Sequence, residues 1–524
     1  MVIPDEKKAR GSAIRVLPFG AAALLAEVDT LPQVLDLHAA LAASRPAGVV
    51  DLVPAARTVL VRIDPQRLTL AAARTWITEA ETDAAPIRLD SAPVIELQVA
   101  YDGPDLAGTA SALGVSVDAL VSAHQAAHWV VAFTGFAPGF GYLVSDEWHF
   151  DVPRLDSPRT RVPPGAVGLA GDFTGAYPRA TPGGWRLIGT TEAVLFNPDA
   201  ASPVLLTPGS RVRFVAAGPT REAVIAAPPA LPERPNVPAA FTIAAPGWQS
   251  TVQDRGRPGA ASLGIAPSGA LDRGALAVAN RLVGNSEDAA AIEVTGGGFR
   301  AVAERDLWIA LAGARGVARV GALALDALAA TLWPEGEELE ISAFEHGIRA
   351  YLAVRGGVAG PISAGSRSSD VLAGLGRAAY ASGDGVALAN DVVGPVPPLD
   401  IAPWTAPTDD VIELGAEAGP RGEWFAASAH EALFEALWTI SADANRVGVR
   451  LEGPVLERTR PGELPSEGMI PGAIQVPPSG QPTILLADGP VTGGYPVIAV
   501  VSDASLDALA QARPGMRVRF RHGI

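Results

Sequence analysis

Hydrophobic positions near the start of the chain change their period from one segment to the next. Over "AIRVLPFGAAALLAEV" they alternate in two short runs about a turn at Pro18–Gly20, which predicts two strands. In "LPQVLDLHAALAAS" Leu31, Val34, Leu37 and Leu41 recur at helical spacing, and the pattern stops before Pro46. "GVVDLVPAARTVLVRID" alternates again as a strand pair, and "LTLAAARTWITEAE" returns to a helix. Taken as β-α-β-β-α, residues 14–90 predict a small α+β domain of the ferredoxin-like kind, behind a polar tail at 1–13.

Beyond residue 91 the runs shorten. "VIELQVAYDG" predicts a strand, "SVDALVSAHQAAH" a helix capped by Ser116, and "WVVAFTGF" another strand. From there to Phe214, strand-length runs are separated by Gly and Pro, the pattern of a barrel or sandwich over 91–225. The proline-rich stretch 226–239 lacks ladder donors and predicts a stiff linker. The last region, 240–524, restarts with "FTIAAPGWQSTVQDRGRPG". Three landmarks then recur in order. Pro164-Gly165-Ala166-Val167 returns as Pro471-Gly472-Ala473-Ile474, Gly183-Gly184-Trp185 as Gly493-Gly494-Tyr495, and "PGSRVRF" (208–214) as "PGMRVRF" (514–520). One β-rich module therefore occurs twice, and the fold class is mixed α/β, mostly β.

Composition narrows the chemistry. The 524 residues carry 40 basic and 56 acidic side chains, a net charge of −16, with no basic stripe for nucleic acid. There is no cysteine, which excludes disulfides, thiolate nucleophiles and Cys-ligated metals. No apolar run reaches membrane-spanning length and no signal-peptide core is visible, so a cytoplasmic address and no membrane partner are expected. His124 and His128 stand one helical turn apart, but without an HExxH arrangement no metal is predicted. Phosphate-binding GxxxxGK[ST] loops, GxSxG elbows and a Ser-Ser-Lys amidase set are also not seen.

Polar turns between apolar strands carry the candidate chemistry. "GFAPGFGYL" (135–143) places glycines where backbone must come close to something, although on its own a glycine turn over a core of Phe136, Phe140 and Tyr142 accounts for it better. Arg159 and Arg161 lie on one side of an extended segment and suit a carboxylate or phosphate, or a surface ion pair with Asp156 or Asp172. "TVQDRGRPG" (251–259) and "PSGALD" (267–272) precede the helix "DRGALAVANRLVG", which Ser268 or Asp272 could cap. Asn280, Asn285 and Glu293 follow, and Arg367 sits in a glycine–serine turn able to present N–H groups to an anion. Gln475, Asp488 and Tyr495 surround the apolar run Ile484–Leu486.

Together these stretches resemble two known families fused in one chain. "GFAPGFGYL", "SPRTRVPPGAVGLAG" and "YPRATPGGWRLIGTT", which contains Tyr177, are similar to the first subunit of allophanate hydrolase, also called the B subunit of 5-oxoprolinase, the family of the kinase inhibitor KipI. "TVQDRGRPG", "PSGALDRGALAVANRLVGN", "YLAVRGGV", "GSRSSD" and "SEGMIPGAIQVPPSGQPTILLADGPVTGGYP" resemble the second subunit of allophanate hydrolase, or the C subunit of 5-oxoprolinase, the KipA family. The pair also resembles the carboxyltransferase region of urea carboxylase, and the likeness runs from about Ile14 to Phe520. It departs in Asp488–Gly494, which lacks a Gln and a Thr of the family pattern, and at Val449, where an aromatic is usual.

The resemblance implies two cyclophilin-like barrels whose loops enclose one cavity. It further implies a component of an ATP-dependent 5-oxoprolinase, opening the lactam of 5-oxoproline to glutamate with a third subunit of a different fold. Arg159, Arg161, Arg257 and Arg367 are then candidate anion partners. Asp254, Asp272, Glu467 and Asp488 are candidates for Mg²⁺ or general-base work, while Tyr177, Ser268, Gln475 and Tyr495 are candidate substrate contacts. ATP with Mg²⁺ is the implied cofactor, a small amide the implied substrate, and a homo-oligomer possible. Two alternatives stand beside it: a biotin-dependent carboxyltransferase of the urea carboxylase type, and a KipI/KipA-like regulator of a histidine kinase.

Overall fold

The structure, a computed structural model, describes residues 14–80, 94–155, 157, 159–198, 200, 202–217, 238–326, 329–397, 407 and 411–523. The tail at 1–13 and the linker up to residue 237 lie outside the described residues.

The first domain runs β1 (Arg15–Pro18), β2 (Ala23–Glu27), α1 (Leu31–Ala43), β3 (Val49–Pro54), β4 (Thr58–Ile63) and α2 (Leu70–Thr78). Its antiparallel sheet has the order β1-β2-β4-β3. β2, α1 and β3, with β4 inserted between the strands, form the expected split β-α-β unit. The ferredoxin-like expectation needs correction at one edge, because the outer strand is β1, which precedes the unit. Gly20 at φ +66° turns β1 back alongside β2 and fills the place a final strand would take. Alternation along the strands divides two cores. Leu24, Ala26, Val59 and Val61 face α1 and α2 through Val34, Leu37, Leu41 and Ile77. Leu25, Val53 and Leu60 face the other way, onto Met469, Ile470, Leu485 and Val500 near the far end of the chain.

The first barrel comprises β5 (Val94–Val99), α3 (Leu106–Ala112), α4 (Val117–Ala126), β6 (Trp129–Thr134), β7 (Gly141–Val144), β8 (Arg159–Val162), β9 (Ala166–Ala170), β10 (Phe173–Ala176), β11 (Thr181–Gly183), β12 (Arg186–Thr190) and β13 (Arg211–Ala216). Its sheet, β12-β9-β10-β7-β6-β13-β5, is closed by paired hydrogen bonds between Ala100 and Thr190. Ser116 caps α4 as its sequence predicts, accepting from the Ala119 N–H at 3.1 Å. His124 and His128 do not share a site. His124 is buried between Tyr101 and Thr174, and burial pulls its pKa down to about 3, while His128 lies exposed beside Glu147.

A β-sandwich follows, made of β14 (Phe241–Pro246), β15 (Gln249–Gln253), α5 (Arg273–Leu282), β16 (Ala291–Thr295), β17 (Phe299–Ala303), β18 (Leu307–Arg315), β19 (Ala318–Val320), β20 (Leu323–Ala324), β21 (Thr331–Trp333), β22 (Glu338–Ile341), β23 (His346–Val354) and β24 (Gly385–Val386). Sheets β20-β19-β22-β17-β14-β24 and β15-β16-β23-β18-β21 enclose Phe241, Val252, Ile292, Phe299, Trp333 and Leu352. α5 packs its apolar face on Ala310, Ala312 and Tyr351 of the second sheet.

The final module contains β25 (Ile412–Ala418), α6 (Ala427–Glu435), β26 (Trp438–Ile440), β27 (Gly448–Glu452), β28 (Glu467–Gly468), β29 (Ala473–Gln475), β30 (Thr483–Leu485), β31 (Thr492–Gly493), β32 (Val497–Val501), α7 (Asp503–Ala510) and β33 (Arg517–His522). Its closed barrel reads β25-β33-β26-β27-β30-β29-β32, and the first reads β5-β13-β6-β7-β10-β9-β12, place for place. In both, the first strand pairs parallel with the last. Each also carries a two-stranded ribbon, β8–β11 and β28–β31. The repeated landmarks fall on equivalent strands: β9 and β29, the turns into β12 and β32, and β13 and β33. Gly165 and Gly472 open β9 and β29 with φ of +78° and +91°, where a Cβ would strike carbonyl oxygens at 2.3 and 2.7 Å. The chain's second half, read from sequence as one region, is thus a sandwich plus a barrel.

The N-terminal sheet is fastened to the second barrel by charge as well as by apolar contact. Buried Arg421 donates through Nε to Glu467 at 3.1 Å and through Nη2 to both Glu467 and Glu27, the last at 2.7 Å. Removing one member strands a carboxylate away from water. Arg421→Ala is therefore expected to cost about 3–5 kcal/mol in denaturant unfolding. The paired change Arg421→Met with Glu467→Leu is expected to restore most of that loss, because it leaves no orphaned charge in the pair.

Candidate functional site

The segment between β15 and α5 threads between sandwich and second barrel. Gly256 (φ +83°) and Gly269 (φ +89°) pack backbone on backbone; a Cβ on Gly256 would sit 2.5 Å from the Pro267 oxygen. This clasp holds Arg257 and Ser268 on facing turns, with the Arg257 N–H donating to Pro267 O at 2.7 Å. Asp254 anchors the segment to the glycine–serine turn. Its Oδ1 accepts from Ser366 Oγ and Ser368 Oγ at 2.6 Å each and from Gly256 N at 2.7 Å; its Oδ2 accepts from Arg367 N at 2.7 Å. Arg257 is fully buried and donates to the carbonyls of Ser363 and Ser368, and its Nη1 has no partner.

Arg257 faces a further group of buried charges. Arg446 forks onto Asp488 at 2.8 and 3.1 Å, reaches Glu293 at 2.7 Å, and donates to the Gly269 carbonyl at 2.7 Å. Burial opposes its charge, but Asp488 and Glu293 outweigh that and raise its pKa. Glu293 also accepts from Tyr351 Oη at 2.7 Å; burial pushes its pKa up, and Arg446, Arg349 and Tyr351 bring it below the usual value. Asp370 differs. Burial, then the nearby Asp488 charge, lifts its pKa to about 6 against the pull of Arg257 and Arg446. The charge of Arg179, in the loop after β10, also acts on Asp370, and one of its buried nitrogens is unpartnered. Asp488 follows β30, the equivalent strand of the other barrel. Equivalent loops of the two barrels thus bring a cation and an anion to one sandwich carboxyl.

Beside this cluster a cleft of about 130 Å³ opens between the N-terminal domain, the 255–273 segment and the second barrel. Phe19, Ile470, Leu486 and Val500 supply apolar walls, and Arg62, Arg255, Arg273 and Ser268 supply polar ones. A smaller void shares Arg62, Pro267, Ile470 and Pro471 with the cleft and extends to Arg257.

Asp254, Arg257, Ser268, Asp272, Arg367 and Asp488, picked from sequence, do gather here, with Asp272 in the capping role its position offered and Asp254, Arg367 and Asp488 tied to protein groups. Asp272 caps α5, accepting from Ala275 N at 2.8 Å and from Gln511 Nε2 at 2.6 Å, and burial lifts its pKa to about 6. Ser268 is no cap. Glu467 is held by Arg421. Arg367 uses its N–H on Asp254 and keeps its guanidinium 3.5 Å from Asp391. The four carboxylates nominated for Mg²⁺ are committed to protein donors, and among the described residues no cluster of three acids or histidines suits a metal. They do not fit the implied ion.

The remaining candidates do not join this cluster. Arg159 pairs with Asp105 at 2.7 Å, while Arg161 on the same strand is exposed. Tyr177 is buried against Phe136 and Phe140. Tyr495 is half-buried and feels Glu463 and Arg458; Gln475 is half-buried on β29. The barrels meet where Phe136 N donates to Thr492 Oγ1 at 3.0 Å and Arg154 stands 3.8 Å from Glu463. Here the expectation of one cavity enclosed by both barrels' loops is corrected: none of the cleft's wall comes from the first barrel. Reasoning from sequence missed Asp370, Arg446, Arg179 and Arg62 as site residues. Asp370 closes the quoted "GSRSSD", so its signal was in hand; Arg62 sits in an ordinary alternating strand.

Comparison with known proteins bears on both halves. The carboxyltransferase domain family matches twice, as subdomains C and D over residues 14–206 and as subdomains A and B over 263–522. The chain is 36% identical over 283 residues to the C subunit of 5-oxoprolinase from Escherichia coli K12, covering 52% of this chain and 88% of that protein. It is 42% identical over 184 residues to the B subunit of 5-oxoprolinase from Escherichia coli O157:H7, covering 34% of this chain and 81% of that one. Urea amidolyase of Lachancea kluyveri is 32% identical over 309 residues, 54% of this chain but 17% of that one. The crystal structure of TTHA0988 superposes with a TM-score of 0.84 at 36% identity, covering 95% of this chain and 99% of that one.

Asp370 holds its proton more tightly folded than unfolded. Its contribution is complete below its ordinary pKa of 3.8 and is lost as pH rises through about 6. At pH 7.5 Asp370→Asn is therefore expected to be more stable than the parent by roughly 1–3 kcal/mol, with a flatter stability profile between these values. Thermal unfolding of both proteins across that pH range measures it.

Proposed function

The chain belongs to the carboxyltransferase-domain family, carrying the C/D subdomains ahead of A/B, and we propose that it serves as the combined B and C component of an ATP-dependent 5-oxoprolinase. One observation carries this reading. Segments similar to two separate proteins, the B and C subunits of 5-oxoprolinase, are joined here and seated on each other through Glu27–Arg421, Leu60–Ile470 and Phe136–Thr492. In that reading a third subunit completes the enzyme and ATP activates the lactam oxygen.

What this chain's residues would contribute is a dry, charged wall. A lactam is a stable amide, so opening it requires stabilisation of charge on oxygen and proton delivery to the departing nitrogen. Arg257 has a free buried donor for the first task. Asp370, poised near neutrality beside Asp488, suits the second. The likeness to urea amidolyase favours a second reading, transfer of a carboxyl group to a urea-like acceptor. The two substrates share a planar N–C=O edge, so one pocket chemistry serves both.

The deciding assay is ADP release driven by 5-oxoproline, with and without the third subunit. Release that needs both proteins is expected, and its absence in every combination would remove the proposal. Release dependent on a biotinylated carrier and urea would favour the second reading. Within an active complex, Asp370→Asn is expected to lower kcat by about 10²–10⁴-fold. The parent's kcat is expected to fall as pH rises through about 6, where Asp370 loses the proton it must deliver.

A further inference from the structure

Two buried hydrogen-bond donors along the passage have nothing to donate to, and a third group, the partly exposed Arg62, is only loosely paired. Ser268 holds a left-handed backbone at φ +50°, strained for a side-chain-bearing residue, and its buried Oγ has no partner. Arg257 Nη1, at the inner end, is equally buried and equally unspent. Arg62 lines both the cleft and the inner void, and its ion pair with Asp51 is stretched to 3.8 Å, beyond hydrogen-bonding distance. Buried donors without acceptors are costly, and strain persists only where surrounding structure imposes it. An acceptor arriving from outside would relieve the two buried donors and give Arg62 a close partner.

From this geometry we infer that the passage recognises the carboxylate of a small cyclic acid, with Arg62 and Ser268 as its donors. The inference rests on the 5-oxoprolinase reading for the identity of the ring, and on the unspent donors for the carboxylate. The cleft is compact, and Phe19, Ile470, Leu486 and Val500 suit ring methylenes. Glu417 and Asp503 also line it, which disfavours a doubly charged phosphate and tolerates a single negative charge held at the arginine end. Arg62 and Phe19 come from the B-like half, Ser268 and Ile470 from the C-like half. The C-like half therefore lacks a complete site until the N-terminal domain docks on it. This gives the covalent joining of the halves a physical role.

Calorimetric titration of the full chain with 5-oxo-L-proline, with 2-pyrrolidinone, which lacks the carboxylate, and with inorganic phosphate tests the inference without turnover. The parent is expected to bind 5-oxoproline in preference to the other two. Arg62→Met is expected to weaken that binding about 10- to 100-fold and leave 2-pyrrolidinone unaffected. Ser268→Ala is expected to weaken it too, with an unchanged or higher Tm because the lost hydroxyl had no partner; this variant decides the matter should Arg62→Met fold poorly. Variants that bind 5-oxoproline as the parent does, a parent that binds none, or preference for phosphate would each overturn the inference. Turnover with the third subunit is scored separately. Turnover with unaffected variants would sink only the carboxylate site, and Arg62-dependent binding without turnover would sink only the oxoprolinase reading.

Discussion

Arg446 is a guanidinium withdrawn from water, and the structure around it is arranged to satisfy it. Such a charge requires acceptors on all sides. Two come from Asp488 in its own barrel, and the others, Glu293 and the Gly269 carbonyl, belong to the sandwich. The ion cluster therefore fixes the register of two domains as well as neutralising charge. Glu293 in turn orients Tyr351, which accepts the Asp272 N–H at the start of α5, and Gln511 of the second barrel closes the circuit by donating to Asp272. The sandwich, the helix and the barrel are held by one connected set of hydrogen bonds.

That fixed register lets Asp370 stay protonatable near neutral pH. Asp254 receives four donors, whereas Asp370 receives the Ala373 N–H at 2.8 Å and must share Arg257 and Arg446 with Asp488. Two carboxylates with too little positive charge between them cannot both ionise freely. The duplicated barrels supply this imbalance unequally: equivalent loops deliver Arg179 from one copy and Asp488 from the other. Duplication gave the scaffold, and divergence of the loops gave the two copies different electrostatic duties.

The N-terminal domain is the third participant. Its sheet is buried on both faces, one against its own helices and the other against the second barrel, so the domain cannot shed the barrel without exposing Leu25, Val53 and Leu60. Gly468 fits that contact closely, since a Cβ there would stand 2.5 Å from Leu60 Cβ. The same docking carries Phe19 and Arg62 to the cleft. Packing and ligand access are thus settled at one interface.

Local order in the sequence was enough for several elements and for the duplication, but not for α3, α6 or α7. Helical spacing located α1, α2 and α4, alternation located the first hairpins, and the recurrence of PG-x-RVRF with its two companion landmarks identified equivalent barrel strands. These signals are local because side-chain period and turn chemistry act over a few residues. Which edge β1 occupies, and that residues 240–524 hold two domains, depended on long-range pairing that alternation does not encode. The site divides in the same way. Residue types and glycine turns marked Asp254, Arg257, Ser268 and Asp488, but whether each was spent or free was decided by what folded against it. Asp254, Asp272 and Glu467 look equally available in the sequence and are all consumed by donors from distant segments. Ser268 and Arg257 keep donors unspent, and Arg62 keeps only a loose ion pair, because three domains bring them to one passage without a matching acceptor, and only the tertiary structure could leave that difference.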